Sequence, residues 1–533
     1  MDGPTYGEVK QRSDSIAQWL LNHGFTANDP VMVLSGNSIE HALLMLGCYS
    51  AGVPIVSLSP QYSQGGDFAR LRNCNDVVRP KLIFAQSEPE FSAAMASLEA
   101  HNPALRFASI NGGPERISFA EMAQTPVTSA VADAISAIKP SAVAKYLFTS
   151  GSSGLPKAVI QTHGMLMGTI AADEALSDGR PLPDDAKMLE WMPWSHIAGG
   201  NYTFNAGLWA GLTNYLDEGK PHPDHFHKTI ENLYEVSPIN FGSMPIGYAM
   251  LVDAMEADPK LRSCFFRNLQ FMHCGGAALD INVLERLEHL AIAERGVKIP
   301  LITKYGSTEV QIATMLHWID EGDGLIGNPV PGITLKLVPK DSVYEIRIKG
   351  PTVSPGYIGE PEKSAAAFDD EGFYMPGDAC SFAHPEDRSG GLVFAGRIEG
   401  NFKLDTGTWV HVEELCSALK SACAPFIEQI VIVGEGKPYL GALIWPPATL
   451  LAERGQAGIA ERLSQLISAF NSRGRGSSTR VRRVAIMTVP LSADDSEITL
   501  KGAASPRVVL SNRKDVVTAL YSPSPADTQI IHI

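Results

Sequence analysis

Read for its hydrophobic and polar positions, the chain begins as a regular alternation of amphipathic stretches and short apolar runs. Positions 5–23 place Val9, Ile16, Trp19 and Leu20 near one face of a helix, and Gly24 stops it. The run at 31–34 is apolar throughout, as a buried strand requires. Ser38 is placed to cap a helix carrying Ile39, Ala42, Leu43, Leu46 and Gly47, and 53–58 reads as the next strand. A helix at 67–72 and a strand at 81–85 continue the rhythm. Strand and helix alternating in this way predict an α/β fold around a mostly parallel sheet covered on both faces. The stretch 111–141, rich in Ala, Pro, Gly and Ser, reads as a connecting surface segment.

A second rhythm starts late. Between 396 and 407 Gly, Arg, Asp and Thr interrupt the apolar pattern. Beyond them a helix at 413–422, strands at 429–433 and 440–445, and a helix at 459–470 compose a small α+β unit. The expected organisation is a large, multi-layer α/β domain over 1–396 and a small C-terminal α+β domain over 397–533. The Ser-Pro-Ser-Pro run from Ser522 reads as a loose tail.

Length agrees with this division, since 533 residues exceed one ordinary core. A hydrophobic share of 44% with 19% charged residues is that of a globular protein. The net charge of −15 argues against nucleic acid as a partner and leaves any polyanion site to be built locally. Seven scattered cysteines without a C-x-x-C pair indicate neither a zinc site nor a disulfide framework. With no secretory leader pattern, the expectation is a cytoplasmic protein with reduced thiols. The longest apolar stretch, 41–59, is broken by Gly47, Ser50, Gly52 and Pro54, so a helix followed by a strand is expected there rather than a membrane span.

Chemistry concentrates at 146–163, YLFTSGSSGLPKAVIQTH. After the apolar Tyr146-Leu147-Phe148 come Thr149, Ser150, Gly151, Ser152, Ser153 and Gly154. Glycine admits positive φ, which lets successive N–H groups face one concavity, and the hydroxyls add donors. Lys157 sets a point charge beyond Pro156. Such a loop is suited to phosphate, although it lacks the GxxxxGK[ST] spacing of a P-loop. The bland alternative is a Gly/Ser linker, which rarely sits between a buried strand and an apolar run. The loop resembles the signature TSGSTGxPKG of the acyl-adenylate-forming (AMP-binding) superfamily, which includes acyl-CoA synthetases, peptide-synthetase adenylation domains and luciferases. Ser153 stands for the family threonine and Ala158 for its glycine.

Further segments extend the resemblance. YGSTE at 305–309 is similar to the family's YGxTE. A tyrosine there can stack on adenine, a threonine can reach phosphate, and Glu309 can bind Mg²⁺. In WMPWSHIAGGN (191–201), His196 alone would be ambiguous between a structural and a functional histidine. The stretch resembles the PxFHI segment of aryl-CoA synthetases, which implies an acyl pocket around Trp194 and His196. The Gly-Gly-Ala of FMHCGGAAL (271–279), at Gly275, Gly276 and Ala277, would contact adenine, and Gly275 together with Met244 in FGSMPIGY would border the acyl pocket. GFYMPGD (372–378) is similar to GWxxTGD and implies that Asp378 binds ribose. GRIE (396–399) is similar to the hinge segment GRxK/D, which places Arg397 on ribose and Glu399 at the pivot.

Three segments point to one branch. FKLDTGTWVHVEEL (402–415), with Gly407 and Trp409, looks like the feruloyl-CoA synthetases, as do GNSIEHALLMLG (36–47) and PWSHIAGGN. In EITLKG (497–502), Lys501 would be the mobile catalytic lysine, with Lys-Gly where the family usually has Gly-Lys. Members of this branch usually carry several dozen residues before the segment matching Thr5, where this chain starts at once. The resemblance implies an ATP-dependent acid–CoA ligase for a small aromatic carboxylic acid, with ferulate or another hydroxycinnamate as the expected substrate. Its cofactors would be ATP, Mg²⁺ and coenzyme A; Lys501, His196 and Thr308 would act in catalysis, and a homodimer is compatible with it. Two alternatives stay open: an adenylating enzyme that does not use CoA, and a catalytically impaired nucleotide-binding homologue.

Overall fold

The computed structural model describes residues 3–64, 66–113, 116–150, 156–177, 182–275, 279–316, 324–340, 343–398, 400–406, 408–473, 476–492, 497–498, 504–522 and 530–533. The chain forms two compact units. The first comprises 1–336, 347–376 and 382–393, and the second 337–346, 377–381 and 394–533.

The first unit holds two sheets. One runs in the order Ile117–Ser118, Phe107–Ser109, Leu82–Ala85, Val31–Leu34, Ile55–Ser57, Val143–Ser150, Pro156–Thr162. Its neighbours are parallel except for the last pair, an antiparallel hairpin. Val31 to Leu34 are fully buried, which is why they read as an unbroken apolar run. The opening helix, Tyr6–Asn22, starts on a capping box between Thr5 and Glu8. Ile16, Trp19 and Leu20 enter the core as expected. The next helix, Ile39–Ala51, is capped by Ser38 and ends at Gly52 in the left-handed region, φ 68°. The two helices approach closely at Gly47, where a Cβ would lie 2.6 Å from Ile16 Cγ2. Among the described residues no helix is long and apolar enough to cross a membrane.

The segment 111–141 departs from expectation. It contains the strand Ile117–Ser118 and the helices Phe119–Ala123 and Ser129–Ala137. Phe119, Met122 and Val131 reach the same core as the opening helix. Alanine is a strong helix former, and these few apolar anchors suffice to dock the helices.

The second sheet of this unit includes Thr213–Leu216, Lys187–Glu190, Asn240–Ser243, Phe271–Cys274, Leu301–Ser307, Gln311–Met315 and Leu325–Pro329, in that order. The first five run parallel and the last two antiparallel. Helices Phe226–Glu235, Pro245–Ala257, Pro259–Phe266 and Ile281–Arg295 supply its apolar cover.

The second unit is α+β. Strands Gln429–Val433, Leu440–Trp445, Val481–Ile486 and Ile530–His532 form a four-stranded sheet, in that order. Helices Val412–Ala422 and Ala448–Arg473 pack on it, the latter kinked at Gly455, φ 64°. The expected strands appear at 429–433 and 440–445. The end of the supposed loose tail is ordered instead: Ile530–His532 pairs antiparallel with Val481–Ile486. All seven cysteines are free thiols.

One buried charge carries a measurable consequence. Lys145, fully buried, donates to Gly200 O at 3.0 Å and lies 3.6 Å from Met45 Sδ. Burial pushes its ammonium down to about 7 from 10.5. Between those values the unfolded chain retains a proton that the folded chain has released, so this group makes stability rise with pH there and costs most below the window. The stability of the wild type relative to Lys145→Met should therefore improve by ~1 kcal/mol per pH unit between about pH 7.5 and 9.5. Denaturant unfolding across that range measures it, and a difference independent of pH would contradict the assignment.

Candidate active site

The phosphate-loop candidate belongs to the hairpin closing the first sheet, where Thr149 pairs with Lys157 and Ser150 with Pro156. Gly151, Ser152, Ser153 and Gly154 lie outside the described residues. The turn at 350–357 is built against the hairpin. Ile160 N donates to Gly356 O at 3.0 Å, Ile358 N to Ala158 O at 3.1 Å, and Ser354 Oγ to Ile160 O at 2.7 Å. Lys157 Nζ stands 5.4 Å from the centre of the Tyr357 ring.

Tyr305, Gly306 and Ser307 end the strand Leu301–Ser307, and Thr308 and Glu309 follow it. Gly306 is needed by close approach, since a Cβ would lie 1.8 Å from Gln311 O. Glu309 is half-buried and held on both oxygens: Ser307 Oγ donates to Oε2 at 3.0 Å and Tyr357 OH to Oε1 at 3.0 Å. Its own carbonyl accepts from Ser354 N at 2.7 Å. Each carboxylate oxygen keeps lone-pair capacity beyond one hydroxyl bond. This donor set fits Mg²⁺, which takes one or two carboxylates and completes its shell with water and substrate phosphates. Among the described residues there is no cluster of three or more His, Cys, Asp or Glu that would form an all-protein cage.

An amide network, invisible in the sequence, joins these parts. Gln161 Nε2 donates to Thr308 O at 2.9 Å. Its Oε1 accepts from Asn201 Nδ2 at 2.9 Å and also from Gln311 Nε2. Gln161, Asn201 and Gln311 are all buried. The phosphate hairpin, the WMPWSHIAGGN segment and YGSTE thus meet on one side chain. The available signal was positional: Gln161 and Asn201 lie at the ends of two motifs.

His196 is exposed, and its Nδ1 accepts from Ala198 N at 3.3 Å. Trp194 is buried, edge-on to His41 at 5.3 Å and to Phe204 at 4.8 Å. Asn37 fixes the turn by accepting from Trp194 N at 3.0 Å and donating to Met192 O at 2.9 Å. A π-helical turn, Ala198–Thr203, follows. Gly199 and Gly200 allow it to sit on preceding carbonyls: a Cβ would lie 2.4 Å from Met192 O and 2.1 Å from Trp194 O, respectively. Met244 stands at the N-cap position of Pro245–Ala257, directly after the strand Asn240–Ser243. Gly275 follows Phe271–Cys274 and is exposed, with open space where a Cβ would stand. Gly276 and Ala277 lie outside the described residues.

In the second unit, Arg397 Nη1 donates to Asp378 Oδ1 at 2.9 Å, bringing two sequence-selected residues together. Ile398 N donates to Gly377 O at 2.7 Å beside them. Trp409 lies on a short hairpin, with Lys403 Nζ 4.8 Å from its ring centre. Glu399, Gly407 and Lys501 lie outside the described residues. On the chain around Lys501, Ile498 pairs with Ala504, and buried Glu497 accepts from Arg513 Nε at 2.9 Å and Nη2 at 2.7 Å. The Arg513 guanidinium holds the Glu497 carboxyl below its ordinary range.

Comparison with known proteins fits this arrangement. The model of the AMP-binding enzyme family matches residues 3–358, and that of the AMP-binding enzyme C-terminal domain matches 404–524. The chain belongs to the AMP-binding enzyme family. It is similar to a phenylacetyl-CoA ligase of Aspergillus niger, 28% identical over 68% of this chain and 67% of the relative. It is also similar to a 3-hydroxybenzoate–CoA ligase of Aromatoleum, 27% identical over 81% and 78%. Among solved structures, ATP-bound MatB from Rhodopseudomonas palustris superposes with a TM-score of 0.73 at 20% identity, covering 96% of this chain and 94% of that one. These likenesses agree in fold with a large N-terminal and a small C-terminal adenylate-forming domain.

Proposed function

We propose that the protein is an AMP-forming carboxylate–CoA ligase acting on an aromatic acid, with ferulate or a related hydroxycinnamate as substrate. The observation that carries this reading is the convergence of the phosphate hairpin, the His196 segment and YGSTE on Gln161. The names of two relatives, a phenylacetyl-CoA ligase and a 3-hydroxybenzoate–CoA ligase, support an aromatic acid.

In the first half-reaction a carboxylate oxygen attacks the α-phosphorus of ATP, giving acyl-AMP and pyrophosphate. In the second, the thiol of CoA attacks the acyl carbon and AMP leaves. Adenylation replaces an oxide leaving group with AMP, so the protein's task is to align the reactants and stabilise developing charge. Thr149, Ser150, Gly151, Ser152, Ser153, Gly154 and Lys157 would hold the phosphates. Gly275, Gly276, Ala277 and Tyr305 would border adenine, with Gly306 and Ser307 completing that wall, and Thr308 would offer its hydroxyl to phosphate during catalysis. Asp378 and Arg397 would bind ribose. Mg²⁺, held through Glu309, would neutralise phosphate charge. His196 and Met244 would border the carboxylate and acyl group, with Trp194 fixing the turn that carries His196. Lys501 would serve adenylation, and the small domain, taken from residue 397, would turn about Glu399 for thioester formation. Gly407 and Trp409 would lie on the side used by CoA.

Competition between ferulate and octanoate tests the acid class. Ferulate should be favoured by ~10-fold or more in kcat/KM, the scale expected when an aromatic pocket with polar contacts receives an aliphatic chain. Faster turnover of octanoate would overturn the assignment.

A further inference from the structure

Four titratable side chains gather next to the elements assigned to the acyl group. Tyr202 OH donates to Asp173 Oδ1 at 2.7 Å. Lys304 places its ammonium 3.4 Å from the centre of the Tyr202 ring and 3.8 Å from Asp173 Oδ1. His273 meets the Tyr202 ring edge-on at 5.9 Å and Phe271 at 5.0 Å. Each element is already part of the site. Lys304 precedes Tyr305, His273 lies two positions before Gly275, and Tyr202 belongs to the π-helical turn after His196. A Cβ on Gly242 would lie 3.0 Å from Met192 Cε and 3.3 Å from His273 Cδ2, and Trp191 Nε1 donates to Gly242 O at 2.9 Å. The cluster therefore borders the aromatic segment 191–196.

The Tyr202 hydroxyl proton is taken by Asp173 Oδ1, and two other members of the cluster keep capacity suited to a neutral ligand. His273 Nδ1 is shielded from solvent and has no hydrogen-bond partner among the described residues. Lys304 carries three donors, while its carboxylate neighbour is farther than a hydrogen bond. Burial, reinforced by the Lys304 charge, keeps His273 neutral. Burial also lowers Lys304 to about 8, against the pull of Asp173, which leaves it mainly cationic at pH 7.

An ammonium only donates, whereas a neutral imidazole has one accepting nitrogen. A hydroxyl serves both, accepting from Lys304 and donating to His273. An ether oxygen can serve only the donor. A second carboxylate would add a charge that the Lys304–Asp173 pair, already balanced, does not compensate. We propose that Lys304 and His273 form a specificity-determining end of the acyl site that receives a ring hydroxyl of the aromatic acid. The inference rests on the ligase reading above.

The test compares kcat/KM for cinnamate, its 3-hydroxy, 4-hydroxy and 4-methoxy derivatives, and terephthalate, in the wild type and in His273→Phe, His273→Gln and Lys304→Met. The wild type should favour one hydroxy acid over cinnamate by ~10-fold or more, the scale of a hydrogen bond to a charged group. In His273→Phe and Lys304→Met that preference should collapse, the loss on the hydroxy acid exceeding the loss on cinnamate by ~10-fold, and His273→Gln, which keeps a hydrogen-bonding side chain, should restore part of it. An unchanged hydroxy-to-cinnamate ratio, an equal loss on every acid, or a wild-type preference for the methoxy acid or terephthalate would overturn the proposal. Those results leave ligation of aromatic acids standing, whereas a wild type that turns over none of the aromatic acids would remove the underlying reading as well.

Discussion

Lys501→Ala should lose ~100-fold or more in acid-dependent pyrophosphate release, the scale set by removing one preorganised charge stabiliser. Adenylation concentrates negative charge where the carboxylate oxygen meets the α-phosphate, and a lysine ammonium is a compact donor for that charge. Thioester formation needs no such stabiliser at phosphorus, because the acyl–phosphate bond already exists and AMP departs. Supplied with synthetic feruloyl-AMP and CoA, the variant should therefore make thioester at close to the wild-type rate. Lys514→Ala, on the helix Lys514–Leu520, is the control and should affect neither step. Equal loss in both half-reactions by a folded variant would assign Lys501 a structural role, and intact pyrophosphate release would move the function to another lysine.

Glu309→Gln should reduce kcat by ~10-fold or more, with a smaller change in the KM for ATP, since a contact to a charged group contributes about 1.5–3 kcal/mol. The glutamine amide oxygen can still accept one of the hydroxyl bonds now made by Ser307 and Tyr357, so the turn has reason to keep its shape. What is lost is the negative charge offered to Mg²⁺. Steady-state rates across a Mg²⁺ titration, with thermal unfolding in parallel, separate the two effects. Unchanged kcat at every Mg²⁺ concentration would remove Glu309 from the metal site; a loss accompanied by unfolding would make its role structural.

The sequence was most readable where burial was complete or a cap was explicit. The run 31–34 could only be a covered strand, and Ser38 and Gly24 marked helix ends by their own chemistry. Composition misled at 111–141, where alanine-rich helices dock through Phe119, Met122 and Val131. It misled again at the C-terminus, where Ile530–His532 gains strand character only by pairing with Val481–Ile486. The candidate site was legible as separate motifs, but not the contacts that assemble them. Glu309 meets Tyr357 from 48 positions away, and Gln161 meets Asn201 from 40. No periodicity or spacing rule encodes such pairs. Trp194 shows the same limit. Its aromatic ring suggested a substrate wall, while the fold packs it against His41 and Phe204 beneath the His196 turn.

The most direct measurement of the central claim is the product balance with ferulate, ATP, Mg²⁺ and CoA, resolved by chromatography. The account predicts one AMP and one pyrophosphate for each feruloyl-CoA formed, with both depending on the acid. Formation of ADP and phosphate, or of AMP at full rate with no thioester when CoA is present, would contradict it.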